Sequence, residues 1–524
     1  MQISKSDYML YLKHPAWLWL KKHDKKRLPP IDDNLQAMFD AGNRFEAYAE
    51  QLFPNSVRLG FNDYYQYLDL PARTTKAIAD GAKTIFQGRF EYKELTFICD
   101  VIQFVEDKVV DLIEIKSSTK AKIDHEYDLA FQMVVLEGCG YEVRNISVVH
   151  VNNSYVRHGD IDATQMTATT DITEAVKARR SETLESIEAA IKVVDSKTRP
   201  DISPAHAKLG SFNEWLAIYE GLEPVEPGSI YELATISAET VAELESRNIT
   251  RLIDIPDDIQ LSPKQQLQLK ATKANAPIID RGAIKKYLDS MVYPLFFFDY
   301  ETLASVVPYF DGMSPYAQYP FQYSLHILDK PGGELRHFEY LHSDNSNPAE
   351  SLTKTLQSQI GNSGSVITWY MSFEMGCNTR IGTMLPEFAD FYDQLNVRVV
   401  DLMIPFSNGW YADKEFFGSA SIKKVLPVLV PELSYKTQGI QEGAAAQRLW
   451  MEAVLDGKRD DEKGQILANL IKYCELDTFA MVEIYRFLIR LIDSGPKVIA
   501  PVSPTDSHSI STDSDSVPVQ ISMF

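Results

Sequence analysis

Cysteine is scarce. There are four in 524 residues, Cys99, Cys139, Cys377 and Cys474. None forms a CxxC pair, so the residues offer neither the usual cysteine zinc site nor a disulfide framework. Long hydrophobic runs are missing as well: no stretch reaches the roughly 18 apolar residues of a membrane span. Excess positive charge is also absent. Lys and Arg total 52 against 73 Asp and Glu, a net charge of −21, which argues against coating nucleic acid or an anionic membrane by bulk charge. A nucleic-acid enzyme stays open, because metal sites are built of carboxylates and a basic groove can be local. The opening "MQISKSDYMLYLKHPAWLWLKKHDKKR" has no unbroken apolar segment and no small-residue cleavage site. It reads as an amphipathic helix rather than a signal peptide, and a cytoplasmic location is expected.

What is present is ordinary globular composition, 45% hydrophobic and 24% charged, with length for two to four domains. Residues 1 to about 160 alternate helical and strand patterns, and 170–195 look helical. Pro and Gly then punctuate "RPDISPAHAKLGS" and "GLEPVEPGS", a boundary signal. Short helices are expected over 230–275. From Tyr293 the order becomes three strands, helix, strand, helices, which suits a mixed α/β sheet. "KGQILANLIKYCELDTFAMVEIYRFLIRLID" is the last long amphipathic helix. The Ser-, Asp- and Pro-rich remainder is expected to be disordered. No internal repeat is visible.

The first acidic constellation lies in "TFICDVIQFVEDKVVDLIEIKSSTKAK". Two β-rich runs flank Glu106-Asp107-Lys108, which predicts a hairpin with a three-residue loop. Pairing Val105 with Val109 sets Asp100 opposite Glu114, and period-2 alternation puts Lys116 on the face of Glu114. Two carboxylates can hold a hard cation such as Mg²⁺. A neighbouring lysine can orient water and steady phosphate charge. An ordinary surface Glu-x-Lys pair is the plainer alternative.

The second constellation begins with "LFFFDYETL" (295–303), where a buried apolar strand carries Asp299 and Glu301 on one face. Burying two acids together is costly without a cation. Glu374 follows the strand "VITW" at the start of a helix. Tyr473 and Asp477, four apart on the last helix, share a face. Four carboxylates and a tyrosine are the parts of a two-metal phosphodiesterase.

These motifs carry two resemblances. Asp100 with Glu114-Ile115-Lys116 resembles the PD-(D/E)XK nucleases of the RecB-like family. That resemblance implies Gln132 and Tyr141 as its Q-x-x-x-Y-like element, and Glu46, beside Phe45, as an upstream acid. Asp299-x-Glu301, Glu374 and Tyr473-x-x-x-Asp477 resemble the tyrosine subclass of DEDD exonucleases, with an RNase H-like fold. Lys472 stands where the histidine subclass would differ, and Glu374 replaces the usual Asp. Asp401 is an expected structural or substrate contact.

The order of the two units is similar to an uncharacterised bacterial two-domain nuclease family. The implied α/β layout is a PD-(D/E)XK restriction-endonuclease-like domain at 1–200 and a helical linker at 201–290. An RNase H-like domain follows at 291–493, then a tail at 494–524. Within the linker, "ELESRNITRLIDIP" resembles a degenerate helix-hairpin-helix with Asn248 at the glycine position; a plain linker stays open. Relatives carry iron–sulfur cysteines, but His14 stands at one such place, so no cluster is expected.

The terminal Gln520-Ile521-Ser522-Met523-Phe524 resembles the peptide that binds the bacterial sliding clamp. A tether would present Gln520 for hydrogen bonding and Ile521, Met523 and Phe524 to an apolar pocket. Together the resemblances imply a Mg²⁺- or Mn²⁺-dependent DNase with a RecB-like site and a 3′→5′ exonuclease site, recruited to the clamp. A ribonuclease of the same fold, and a catalytically decayed DNA- and clamp-binding scaffold, are the alternatives.

Overall fold

The structure, a computed structural model, describes residues 1–435 and 439–493. The clamp-like pentapeptide 520–524 lies outside them. The chain is mixed α/β, with two principal mixed sheets. Among the described residues, no helix is long and apolar enough to cross a membrane.

The first sheet has six strands in the order Val57–Arg58, Thr84–Phe86, Val101–Glu106, Val109–Lys116, Glu142–Val151, Thr167–Asp171. Helix Ile123–Gly138 connects the parallel pair Val109–Lys116 and Glu142–Val151. Its residues from Leu129 to Leu136 are almost continuously buried, which explains why its apolar pattern has no clean stripe. The hairpin differs from expectation at its tip. Glu106, not Val105, pairs with Val109, and the register shifts between Phe104 and Glu106. The loop is therefore two residues, Asp107-Lys108, and Val105 is the extra residue of a bulge. Lys108 takes the positive φ of 59° that the tight turn needs. Past the bulge Val101 faces Ile113, which is the register expected from the sequence and leads Asp100 toward Glu114.

The N-terminal amphipathic segment forms two helices, Lys5–Lys13 and Pro15–His23, divided at His14. His14 Nδ1 accepts from the Ala16 amide at 3.1 Å. Its ring stacks on Trp215 at 3.8 Å, within a core of Leu10, Trp17, Leu20 and Ile218. His14 is thus half of a packed aromatic pair. In the linker, helix Ala238–Ser246 ends in a turn where Asn248 adopts φ 58°. Asparagine tolerates that left-handed conformation better than other non-glycine residues.

The second sheet has five strands in the order Leu335–Leu341, Tyr319–Leu328, Leu295–Leu303, Ser365–Thr368, Val399–Asp401. The first three are antiparallel and the last two join in parallel. Both faces are covered, which accounts for the run "LFFF". Leu295 and Phe297 pack with the long helix Lys463–Asp493, while Phe296 and Phe298 pack with Leu352, Leu356 and Cys377 on the other side. Alternation then carries Asp299 and Glu301 to the long-helix face. Gly364 opens the fourth strand at φ 91°, where an added Cβ would collide with the Pro294 carbonyl; only glycine suits both demands.

The segment after the Asp299–Glu301 strand ties the two sheets together. Val306 and Val307 enter a core with Phe45, Phe86, Ile113 and Ile115. Tyr316 donates to the carbonyl of Ser117, and Arg157 donates to the carbonyls of Pro308 and Tyr309 at 2.9 and 2.6 Å. The strand bearing Glu114 and the strand bearing Glu301 therefore lead into one packed junction.

Candidate functional site

Asp299, Glu301, Glu374 and Asp477 converge from three elements. The strand supplies Asp299 and Glu301, and the long helix supplies Asp477. One oxygen each of Asp299 and Glu301 and the Cys474 sulfur lie within 4.8 Å of one another. Glu374 reaches the group from the first turn of helix Met371–Met384 and hydrogen-bonds with Asp299. Asp401 aims that helix. Its Oδ1 accepts from the amides of Tyr370 and Met403 at 3.0 and 2.9 Å, and its Oδ2 from Met371 at 3.1 Å. These bonds hold Tyr370 at φ 80°, a left-handed conformation that costs a tyrosine about 1 kcal/mol. Asp401 thus has the structural role, fixing the turn that delivers Glu374.

Tyr473 and Asp477 share a face of the helix as expected. Tyr435, which the sequence reading did not single out, donates its hydroxyl to Asp477 Oδ1 at 2.6 Å, and Tyr473 bonds the same carboxylate. Lys423, from helix Ile422–Leu429, is the second residue missed. Its ammonium lies 5.6 and 5.4 Å from the ring centres of Tyr435 and Tyr473, and its charge bears on Asp299, Glu301 and Asp477.

The charges do not balance. Burial, and then the neighbouring carboxylates, push Asp299, Glu301 and Glu374 well above the usual carboxylate range. Burial raises Asp477 to about 6 against the pull of Tyr435 and Lys423. Glu374 is 1% exposed, and its Oε2 has no hydrogen-bond partner. An all-oxygen carboxylate set with an orphaned buried oxygen fits a hard divalent cation. The Cys474 thiol is the unexpected soft neighbour; burial keeps it protonated by raising its pKa well above the ordinary value.

The first constellation is built differently. Asp100 Oδ2 accepts from the Ile115 amide at 2.8 Å. Glu114 Oε1 receives the ammonium groups of Lys116 and Lys5, both at 2.7 Å, and its Oε2 accepts from Gln132 Nε2 at 2.9 Å. Gln132 also donates to Asp128 at 3.0 Å, and Lys116 lies 3.3 Å from Asp128. Lys5 and Asp128 were not foreseen. Asp128 stands four residues before Gln132, so helical spacing was its available signal; Lys5 arrives from the start of the chain with no local signal.

Burial raises Glu114, but Lys116, Lys5 and Gln132 outweigh it and hold its carboxyl well below the usual range. Burial and then Glu114 raise Asp100 to about 8, and Glu46 adds to the rise. Glu46, bonded to Gln87 at 2.8 Å, thus sits within electrostatic reach of Asp100. Tyr141 does not join the site. The helix ends at Gly138, and Tyr141 packs edge-on against Phe90 and Phe104 near the hairpin tip, at the opposite end of the strands from Asp100.

These shifts set a pH dependence. A group with a raised folded-state pKa binds its proton more tightly when folded. Its stabilising contribution is complete below the unfolded value and is lost as pH rises through the folded one. For Asp477 that loss runs from about 4 to about 6, and for Asp100 it continues to about 8. Chelator-treated protein is expected to show a falling thermal midpoint from pH 5 to pH 8.5. A flat or rising midpoint would contradict this charge assignment.

One comparison with known proteins falls on the second sheet and its surroundings. A family profile described as a domain of unknown function, DUF2779, matches residues 296–421. That span includes Asp299, Glu301, Glu374 and Asp401 and stops before Lys423, Tyr473 and Asp477. Uncharacterized protein MG366 of Mycoplasma genitalium is 27% identical over 218 residues, covering 37% of this chain and 32% of that protein. Its homolog from Mycoplasma pneumoniae is 25% identical over 211 residues, with the same shares. The match spans about a third of the length of these curated relatives. On present comparisons the chain is similar to a domain of unknown function and to two uncharacterised Mycoplasma proteins.

Proposed function

We propose that the protein is a metal-dependent nuclease whose principal centre is the Asp299, Glu301, Glu374 and Asp477 cluster. The observation that carries this reading is, among the described residues, the burial of four carboxylates against one nearby lysine, with the Oε2 of Glu374 orphaned among them. The sheet order, three antiparallel strands followed by two parallel ones, supports an RNase H-like unit. The acids occupy the central strand, the first turn of the helix after the fourth strand, and the covering helix, as in the DEDD exonucleases the sequence resembles.

These four carboxylates would hold Mg²⁺ or Mn²⁺, which supply charge to activate water and to stabilise the departing oxygen of a phosphodiester. The chain's own groups do the rest. Burial keeps the Tyr473 and Tyr435 hydroxyls protonated, so both remain donors that fix the orientation of Asp477. Lys423 faces the cluster with the positive charge a phosphate needs. The 3′→5′ direction comes from the resemblance. DNA is the proposed substrate, with RNA the alternative, and recruitment to the sliding clamp through Gln520–Phe524 belongs to the same proposal.

The first centre is proposed as a RecB-like site of PD-(D/E)XK type, with Asp100 and Glu114 as metal ligands and Lys116 and Gln132 beside them. One observation favours a second reading of it. Glu114 already has both oxygens occupied, by Lys5, Lys116 and Gln132, which suits a charge-balanced brace.

The test is a Mn²⁺-supported time course on 5′-labelled single-stranded DNA with wild type, Asp100→Asn and Asp299→Asn. A ladder shortened from the 3′ end and lost in Asp299→Asn supports the principal centre. Loss in Asp100→Asn alone moves the chemistry to the first centre. No cleavage of DNA or of the matching RNA by wild type refutes the nuclease reading.

A further inference from the structure

A second polar cluster lies beside the four-acid centre. His326 and His337 are direct cross-strand partners, on the face of the sheet that the long helix covers. Their rings stack at 4.4 Å. Glu475, on that helix, places Oε1 3.9 Å from His337 Nδ1. One ligand atom from each of the three residues lies within 4.8 Å of the others.

The hydrogen bonds around them form a short chain, for which one consistent set of donors is as follows. Thr478 Oγ1 donates to the Glu475 carbonyl at 3.1 Å, which uses its proton. Ser324 Oγ, 2.7 Å away, can then donate to Thr478. His326 Nδ1, 2.8 Å from Thr478 Oγ1, must itself donate. His337 Nε2, 2.9 Å from Ser324 Oγ, must donate likewise. Each hydroxyl proton is then used once, and His326 Nε2 and His337 Nδ1 are the ring nitrogens left for an ion. Two histidines whose other nitrogens are anchored by hydroxyls have the outer support that metal-ligating imidazoles characteristically receive.

We propose that His326, His337 and Glu475 form a site for a borderline transition ion of the Zn²⁺, Co²⁺ or Ni²⁺ class, separate from the all-carboxylate centre. Two imidazoles and one carboxylate favour such ions over Mg²⁺. Access comes from the Glu475 side, where that side chain is 47% exposed and His337 24%, while His326 is buried. Arg486, whose charge bears on His326, is held by Glu483 at 2.6 Å and so is partly neutralised. An ion here pins the long helix to the outer strands through Glu475, two residues before Asp477. The site therefore sets the position of the helix that completes the acidic centre.

Co²⁺ is the probe, added to the full-length protein in excess Mg²⁺ and followed by its visible absorption. The expected result is one equivalent bound at micromolar concentration with tetrahedral-type bands. Binding is expected to weaken at least tenfold in His337→Ala and Glu475→Gln and to persist in Asp299→Asn. His337 and Glu475 are chosen because neither is fully buried, and circular dichroism checks their folding. Binding that survives His337→Ala but disappears in Asp299→Asn would assign the ion to the acidic centre and overturn the proposal, as would an absence of binding in wild type. The readout requires no nuclease activity, so its failure is separate from failure of the nuclease reading.

Discussion

Asp299→Asn is expected to abolish Mn²⁺-dependent cleavage, by about a thousandfold or more, while making the metal-free protein more stable. The two effects share one cause. Asp299 is enclosed with Glu301, Glu374 and Asp477, and burial and like charge already push its pKa well up. An amide keeps the shape and the acceptor for Glu374 but removes the charge that is hard to bury. The gain in the metal-free state is about 1–2 kcal/mol, or a few degrees in thermal midpoint. Adding Mn²⁺ is expected to raise the wild-type midpoint and to leave that of the variant nearly unchanged. Calorimetric scans with chelator and with Mn²⁺ measure this. A variant that is less stable than wild type under chelator would mean that the acids are already satisfied by protein groups, and the argument for a cation would fail.

The first centre predicts the opposite sign. Glu114 is fully buried and is the shared partner of Lys5 and Lys116. Glu114→Ala leaves two ammonium groups facing mainly Asp128, at 3.8 and 3.3 Å. Removing one member of a buried ion network costs about 3–5 kcal/mol. Urea denaturation of Glu114→Ala is expected to show a loss near the lower end of that range, because Asp128 remains. Lys5→Met combined with Glu114→Gln is expected to cost less than the sum of the two single changes, since each removes the other's reason for being charged. Additive losses would mean that Lys5 does not engage Glu114 in solution. The contrast between the centres follows: one is short of positive charge, and the other has supplied it from within the chain.

The parts of both sites that were legible in the sequence are those with local periodicity. Asp299 and Glu301 share a face because strands alternate, and Tyr473 and Asp477 because helices repeat near four. The long helix begins at Lys463, where its amphipathic pattern predicts, and runs through Asp493, the last described residue. The register of Asp100 and Glu114 was also readable, although by a different route than expected. The bulge at Val105 and the two-residue turn give the far end of the hairpin the register that a three-residue loop would have given. Turn chemistry around "VEDKVV" does not distinguish the two, since Lys108, not glycine, takes the positive φ.

The partners that come from far along the chain were not legible. Lys5 is 109 residues from Glu114, and Tyr435 is 42 from Asp477. Nothing local marks either of them, and Lys423, 54 residues before Asp477, is equally unmarked. Tyr141 was carried over from the family resemblance, but the helix stops at Gly138 and the chain turns it against Phe90 and Phe104 near the hairpin tip. The polar pair His326 and His337 reads in sequence as two unrelated histidines; only the strand register makes them neighbours.

The measurement that bears most directly on the central claim is calorimetric titration of Mn²⁺ into the metal-free protein at pH 6.5 in two buffers of different ionisation enthalpy. Wild type is expected to bind Mn²⁺ with release of protons, because the raised carboxyls of Asp299, Glu301 and Glu374 must ionise to accept it. Glu374→Gln is expected to bind more weakly and to release fewer protons. Binding without proton release, or binding equally strong in Glu374→Gln, would contradict the assignment of these four acids as the cation site.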